Sequence, residues 1–168
     1  MNTTLLSLER FSRQLLLPGW TLQKQRRIES LTAAVDSRWG FAALYLAGAG
    51  VVHHELTTGE GFQVWRRRIL HLAPDAKVDS LNSDTLVGGL VLRSGDGPPL
   101  LTLRVGEPVA ISGNDNHQRI EIEQLAEDQK YLSLEIPLIK GSRSVLTDLF
   151  LGAALATIAL RWLVYDES

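Results

Sequence analysis

Apolar and polar residues recur with two different periods along this chain, and the change of period divides it. From Leu5 to Leu17 apolar residues fall at 5, 8, 11 and 15–17, approximating one face of a helix. Pro18-Gly19 ends that run, because proline lacks an amide donor and disfavours helix in the residue before it. Thr21 can cap a second helix through Leu31, with Lys24-Gln25-Arg26-Arg27 on its exposed side. Thr32 to Val35 reads as a strand, Gly40 to Gly50 as a helix of small residues, Val51 to Leu56 as another strand and Thr57 to Gly61 as a loop. The spacing of Phe62, Trp65, Ile69 and Leu72 predicts a helix that ends before Pro74. Such alternation of strand and helix is the signature of βαβ units and a parallel sheet.

The second half follows period two. Leu101, Leu103 and Val105 alternate with Thr102 and Arg104, Ile120 and Ile122 with Glu121 and Glu123, and Leu132, Leu134 and Ile136 with Ser133 and Glu135. This pattern predicts half-exposed antiparallel strands. Turn signals separate them at Ser94 to Pro99 and at Gly113-Asn114-Asp115-Asn116, and a final helix runs from about Val145 to Val164.

Composition narrows the function. A chain of 168 residues fits one domain, and 17 Lys+Arg against 19 Asp+Glu gives a net charge of −2, without the basic excess of a dedicated nucleic-acid binder. The absence of cysteine excludes disulfides, cysteine-ligated zinc and any cysteine nucleophile or thioester within this sequence. No apolar signal region follows Met1, and Leu149 to Leu160 is an uncharged run of core-helix length, short of the about 20 residues of a membrane span. The expectation is a cytoplasmic protein with no membrane partner.

Glu9-Arg10-Phe11-Ser12-Arg13-Gln14-Leu15-Leu16-Leu17-Pro18-Gly19 resembles the opening of E1-like activating enzymes, the ThiF/MoeB/HesA group, whose members begin with a pattern like R-[YF]-S-R-Q-[IL]-x-L-P-x. Gln23 to Ile28, Ala42 to Val51, Ile69 to Leu81, Gly106 to Gly113 and Gly141 to Leu163 resemble later segments of that family in order. The resemblance implies an α/β, Rossmann-like domain over 1–168. Its parts are an N-terminal helical segment (1–31), a Rossmann-like half with a parallel sheet (32–83), and antiparallel strands with a closing helix (84–168). It also implies a reaction that joins AMP to the C-terminal glycine of a ubiquitin-like or sulfur-carrier protein.

The residues that would carry this chemistry are altered. A G-x-G-x-x-G loop needs glycine for its tight turn and for close backbone approach to phosphate. The three family glycines align with Ala34, Asp36 and Trp39; Gly40 is recovered only by a one-residue slip. The acidic residue that would hold the ribose aligns with Thr58, with Glu55 and Glu60 nearby, and the family's nucleotide-contacting and magnesium-binding motifs find no good match. Arg13 matches an arginine that, in the family, reaches across a dimer to the partner's ATP phosphates, a task suited to its fork of donors. Trp39 could plug the vacated pocket.

Other residues have plain readings. His53 and His54, as strand neighbours, point to opposite faces and cannot easily share a metal, while His71 and His117 stand alone. Arg66-Arg67-Arg68 reads as a solvated basic face, Asp115 and Asn116 as turn formers, and Ser12 and Ser112 lack a supporting His/Asp pair. The four tryptophans, Trp20, Trp39, Trp65 and Trp162, are core or interface candidates.

The resemblance and the losses together imply a non-catalytic relative: no catalytic residue, no metal, no cofactor, and a structural or regulatory role in protein–protein interaction. The partner would be a second copy or an active E1-like subunit, with a ubiquitin-like or sulfur-carrier protein as a further candidate and no nucleic acid. The alternative is a minimal ATP- and magnesium-dependent adenylyltransferase with a rebuilt site; a small-molecule binder using the remodelled pocket is the third reading.

Overall fold

The computed structural model describes residues 18–59, 61–82, 89–106, 109–111, 115–123, 131–137 and 145–165. Arg13, Glu60, Ser12, Ser112 and the expected helix over 5–17 lie outside them.

The first element is α1, Leu22–Glu29, capped by the Thr21 hydroxyl, which accepts from the Lys24 amide at 3.2 Å. It stops two residues short of the expected Leu31. Ser30 Oγ donates to Arg27 O at 2.7 Å, and Leu31 already pairs with Ser94 across the sheet, so the strand ladder takes that backbone. Nor is the Lys24-to-Arg27 run wholly solvated. Gln25 is buried, donates from Nε2 to Ala49 O at 3.2 Å and accepts from Trp20 Nε1 at 3.0 Å.

Next come β1, Leu31–Val35; α2, Gly40–Ala49; β2, His53–Thr57; α3, Phe62–Leu72; and β3, Lys77–Leu81. Helix α2 ends at Gly50, whose φ of 113° is a left-handed cap that lets its amide reach back to Leu46 and Ala47 carbonyls. The three strands are parallel and lie in the order β3-β2-β1. Strand β3 has no counterpart in the hydrophobic pattern, because Lys77, Asp79 and Ser80 leave only Val78 buried on an edge strand.

The remaining elements are β4, Gly89–Ser94; β5, Pro99–Val105; β6, Val109–Ile111; β7, Asp115–Glu123; β8, Tyr131–Pro137; and α4, Val145–Tyr165. Among the described residues they complete an eight-stranded mixed sheet of order β3-β2-β1-β4-β5-β7-β6, with β8 on β7. Every pairing from β1–β4 onward is antiparallel. The protein is thus an α/β fold whose sheet changes sense at β1.

Two expectations fail in this half. Strand β5 is not half exposed: Leu101, Thr102 and Leu103 are all buried, because β5 is flanked by β4 and β7 and Val91 stands beside Thr102. Asp115 and Asn116 do not form a turn; they open β7, paired with Ile111 and Ala110 of β6.

Register sorts the side chains. Ala33, His54, Val78, Leu92 and Leu101 fall in one row, and Val35, Leu56, Leu90 and Leu103 in another on the same face. The apolar members of these rows join Ala42, Ala43, Leu46 and Ala47 of α2, Ile69 of α3, and Leu151, Leu155, Ala156 and Ala159 of α4 in one core, and His54 is buried on the same face. Of the four apolar residues whose spacing predicts α3, Ile69 is fully buried, while Leu72 is half exposed at the last turn. Among the described residues, no helix is long and apolar enough to cross a membrane.

Candidate functional site

In a sheet of parallel strands the crevice beyond their carboxyl ends is where ligands bind, and the turn leaving β1 presents amides to an anion. That turn is Asp36 followed by the 3-10 segment Ser37–Trp39, leading directly into α2. Three of the four sequence-aligned pocket residues gather here: Ala34 is buried within β1, Asp36 follows its last residue, and Trp39 ends the turn, 3 % exposed.

Each of five successive amides already has a protein acceptor. Asp36 N donates to Gly89 O at 3.0 Å, Ser37 N to Thr57 Oγ1 at 2.8 Å and Arg38 N to Asp36 Oδ1 at 3.0 Å. Trp39 N donates to Asp36 O at 2.8 Å, and Gly40 N to Ser37 O. The Asp36 carboxylate is also forked by the Arg38 guanidinium, with Nη2 2.6 Å from Oδ2 and Nε 3.1 Å from both oxygens. Across the crevice, Thr57 Oγ1 donates to Ser37 Oγ at 3.2 Å and so ties the ends of β1 and β2 together.

Two glycines close the site sterically. A Cβ at Gly40 would stand 2.2 Å from the Trp65 ring, so the one glycine that a shifted alignment recovers serves helix packing. A Cβ at Gly152 would stand 2.7 Å from Phe41 Cβ and 2.9 Å from Ala42 N, which lays the α4 backbone directly on the first turn of α2. These residues do not fit a polyphosphate. An anion entering the turn would meet the Asp36 carboxylate, and it would have to break the hydrogen bonds that set the turn's shape.

Thr58 takes no part in the crevice. Its amide donates to Leu81 O at 2.9 Å, and the residue is exposed. The residues that stitch the crevice are Ser37 and Thr57, which glycine counting passes over. The available signal was strand parity: Thr57 shares a face with His53 and Glu55, opposite the core residues His54 and Leu56.

That second face carries a polar row. Thr32 Oγ1 lies 3.3 Å from His53 Nδ1, and His53 Nε2 lies 3.0 Å from Asp79 Oδ2, which Lys77 Nζ also meets at 3.0 Å. The hydrogen bond from His53, then that from Lys77, holds the Asp79 carboxyl below its usual range. Glu55, considered above as a ribose ligand, is instead ion-paired with Arg93, across β1. His54, by contrast, is fully buried on the core face with Nε2 2.9 Å from Val51 O, so the two histidines do point apart. Among the described residues, no group of three histidine, aspartate or glutamate side chains could hold a metal.

No family model matches the chain. It is similar to protein HesA of Leptolyngbya boryana, 46% identical over 54 residues, covering 30% of this chain and 20% of that protein. The vegetative HesA of Trichormus variabilis shows the same 46% identity over 54 residues, with the same coverage. The heterocyst HesA of that organism is 36% identical over 90 residues, 52% of this chain and 28% of that protein. The chain therefore spans between 20% and 28% of the length of these curated relatives.

Proposed function

We propose that this chain is a non-catalytic relative of the ThiF/MoeB/HesA group, with a Rossmann-like first half, acting through protein–protein contact. The similarity to HesA proteins supports the relationship. The non-catalytic reading rests on one observation, the five successive amides from Asp36 to Gly40 that all donate within the protein. In such a fold those amides are what a nucleotide's phosphates would bind. With them engaged and a carboxylate among them, the crevice holds the strands together. In this reading the chain pairs with an active E1-like subunit or with a copy of itself, and Arg13 is offered to the partner's nucleotide.

Calorimetric titration of the purified chain with ATP–Mg, together with ATP–pyrophosphate exchange in the presence of a carrier protein, tests the reading. The expected result is no heat of binding and no exchange. Binding that disappears in Asp36→Ala, or exchange above background, would establish the adenylyltransferase alternative. With a partner enzyme in hand, Arg13→Ala is expected to slow the partner's adenylation without weakening assembly.

A further inference from the structure

We propose that β3, the outer strand at one end of the sheet, pairs antiparallel with β3 of a second copy of the chain, so that two sheets join into one. The proposal deepens the interaction reading above by naming its partner, and rests on it.

The backbone of β3 is half used. The Lys77 amide donates to Val52 O at 2.8 Å and Leu81 O accepts from the Thr58 amide at 2.9 Å, in the parallel register that runs from His53↔Lys77 to Thr57↔Leu81. Hydrogen-bonding direction alternates along a strand. Lys77, Asp79 and Leu81 therefore turn their N–H and C=O to β2, while Val78 and Ser80 turn theirs outward. Among the described residues no further strand lies beyond β3. Outward amides and carbonyls on a sheet edge are a template for another strand.

Charged side chains ordinarily blunt such an edge, and β3 carries two. Their spacing changes the outcome. Lys77 and Asp79 stand two residues apart, hence on the same face of the sheet, with Val78 between them buried on the other. Lys-Val-Asp read backwards is Asp-Val-Lys. An antiparallel copy thus presents a carboxylate to the lysine and a lysine to the carboxylate.

The same two charges choose the register. With a two-fold axis at Val78, the two Val78 residues exchange both hydrogen bonds and each Ser80 amide meets the Ala76 carbonyl of the other copy. Each Lys77 then stands opposite the other copy's Asp79, in the closely spaced pairs that flank the axis. Moving the axis to Asp79 also pairs the outward groups, but it sets Asp79 against Asp79 and Lys77 against Leu81, which like charge disfavours. The Asp79 carboxylate is already positioned, with His53 Nε2 3.0 Å from Oδ2. Lys77 Nζ meets that oxygen from an exposed side chain long enough to be shared with a second copy. A foreign strand would have to carry this pattern, whereas a second copy brings it by symmetry. Five residues a side is a small contact, so the expected dimer exchanges with monomer.

Sedimentation of the full chain over a range of concentrations is expected to show a reversible monomer–dimer equilibrium. Lys77→Glu and Asp79→Lys each leave β3 with one sign of charge. Each alone is expected to weaken the dimer by about tenfold or more, with thermal unfolding unchanged. An equal mixture of the two is expected to restore it, because each then supplies the charge that the other lacks, and native mass spectrometry should find one copy of each. If Asp79→Lys misfolds on losing the His53 contact, Lys77→Ala and the salt dependence of the native equilibrium read the same pairing. A chain that stays monomeric at every concentration, a dimer indifferent to Lys77, or a mixture that fails to re-form it would each overturn the proposal. A monomeric chain that still recovers another protein from its own cells would spare the interaction reading and defeat only this edge. ATP binding would defeat the non-catalytic reading without bearing on β3.

Discussion

His54 shows how far one residue's environment departs from its sequence. It sits on β2 in register with Ala33 and Val78, fully buried on the core face, with Nε2–H donating to Val51 O. Burial, outweighing the favourable hydrogen bond to Val51 and helped by the neighbouring His53, lowers its pKa from 6.5 to about 4. In the unfolded chain the ring takes up a proton near 6.5; in the folded protein it does so only near 4. Stability contributed by the neutral ring is therefore complete above pH 6.5, falls as the pH drops between those values, and is gone below the lower one. The loss is expected to be about 3 kcal/mol. Urea unfolding at a series of pH values should show it, and His54→Gln should flatten that part of the profile. Opposite facing of His53 and His54 was legible from strand parity, since neighbouring residues must point apart. The hydrogen bond to Val51 was not, because it depends on how the chain leaves α2 through Gly50.

Among elements, α2, α3 and α4 were legible nearly to the residue. Phe62 to Leu72 carries its own start and stop, a glycine before and Pro74 after, and Gly50 marks the end of α2. What sequence could not give was how closely the helices approach. Gly152 of α4 touches the α2 backbone, whereas a Cβ at Gly48 of α2 would meet, among the described residues, the end of a flexible leucine at ordinary contact distance, yet both are mid-helix glycines. Their alanine variants should move stability in opposite directions. Gly48→Ala gains helix propensity and is expected to stabilise by about 0.5–1 kcal/mol. Gly152→Ala gains the same but drives a Cβ into Phe41 and the Ala42 amide, so a net loss of about 1–2 kcal/mol is expected. Thermal unfolding of the two variants side by side checks both. At β5, a two-residue period identified the strand but misjudged its exposure; burial of Thr102 comes from neighbouring strands.

For the whole molecule, the change from parallel to antiparallel pairing at β1 divides the sheet between two patterns, both visible in the sequence as a change of period. The sequence also showed that the glycines of a phosphate loop are missing. It did not show what replaced them. Ser37, Thr57 and the α4 backbone come from three separate parts of the chain, and only the fold brings them to one turn. Trp39 lies at the end of that turn, and its burial has an optical consequence. An indole shielded from water emits at shorter wavelength than one that is wetted, so any ligand that forced the crevice apart would shift the emission of this side chain to the red. Trp20, Trp65 and Trp162 are each partly exposed and would blur that signal. A chain with phenylalanine at those three positions would carry a single fluorophore that reports whether the crevice is open or shut.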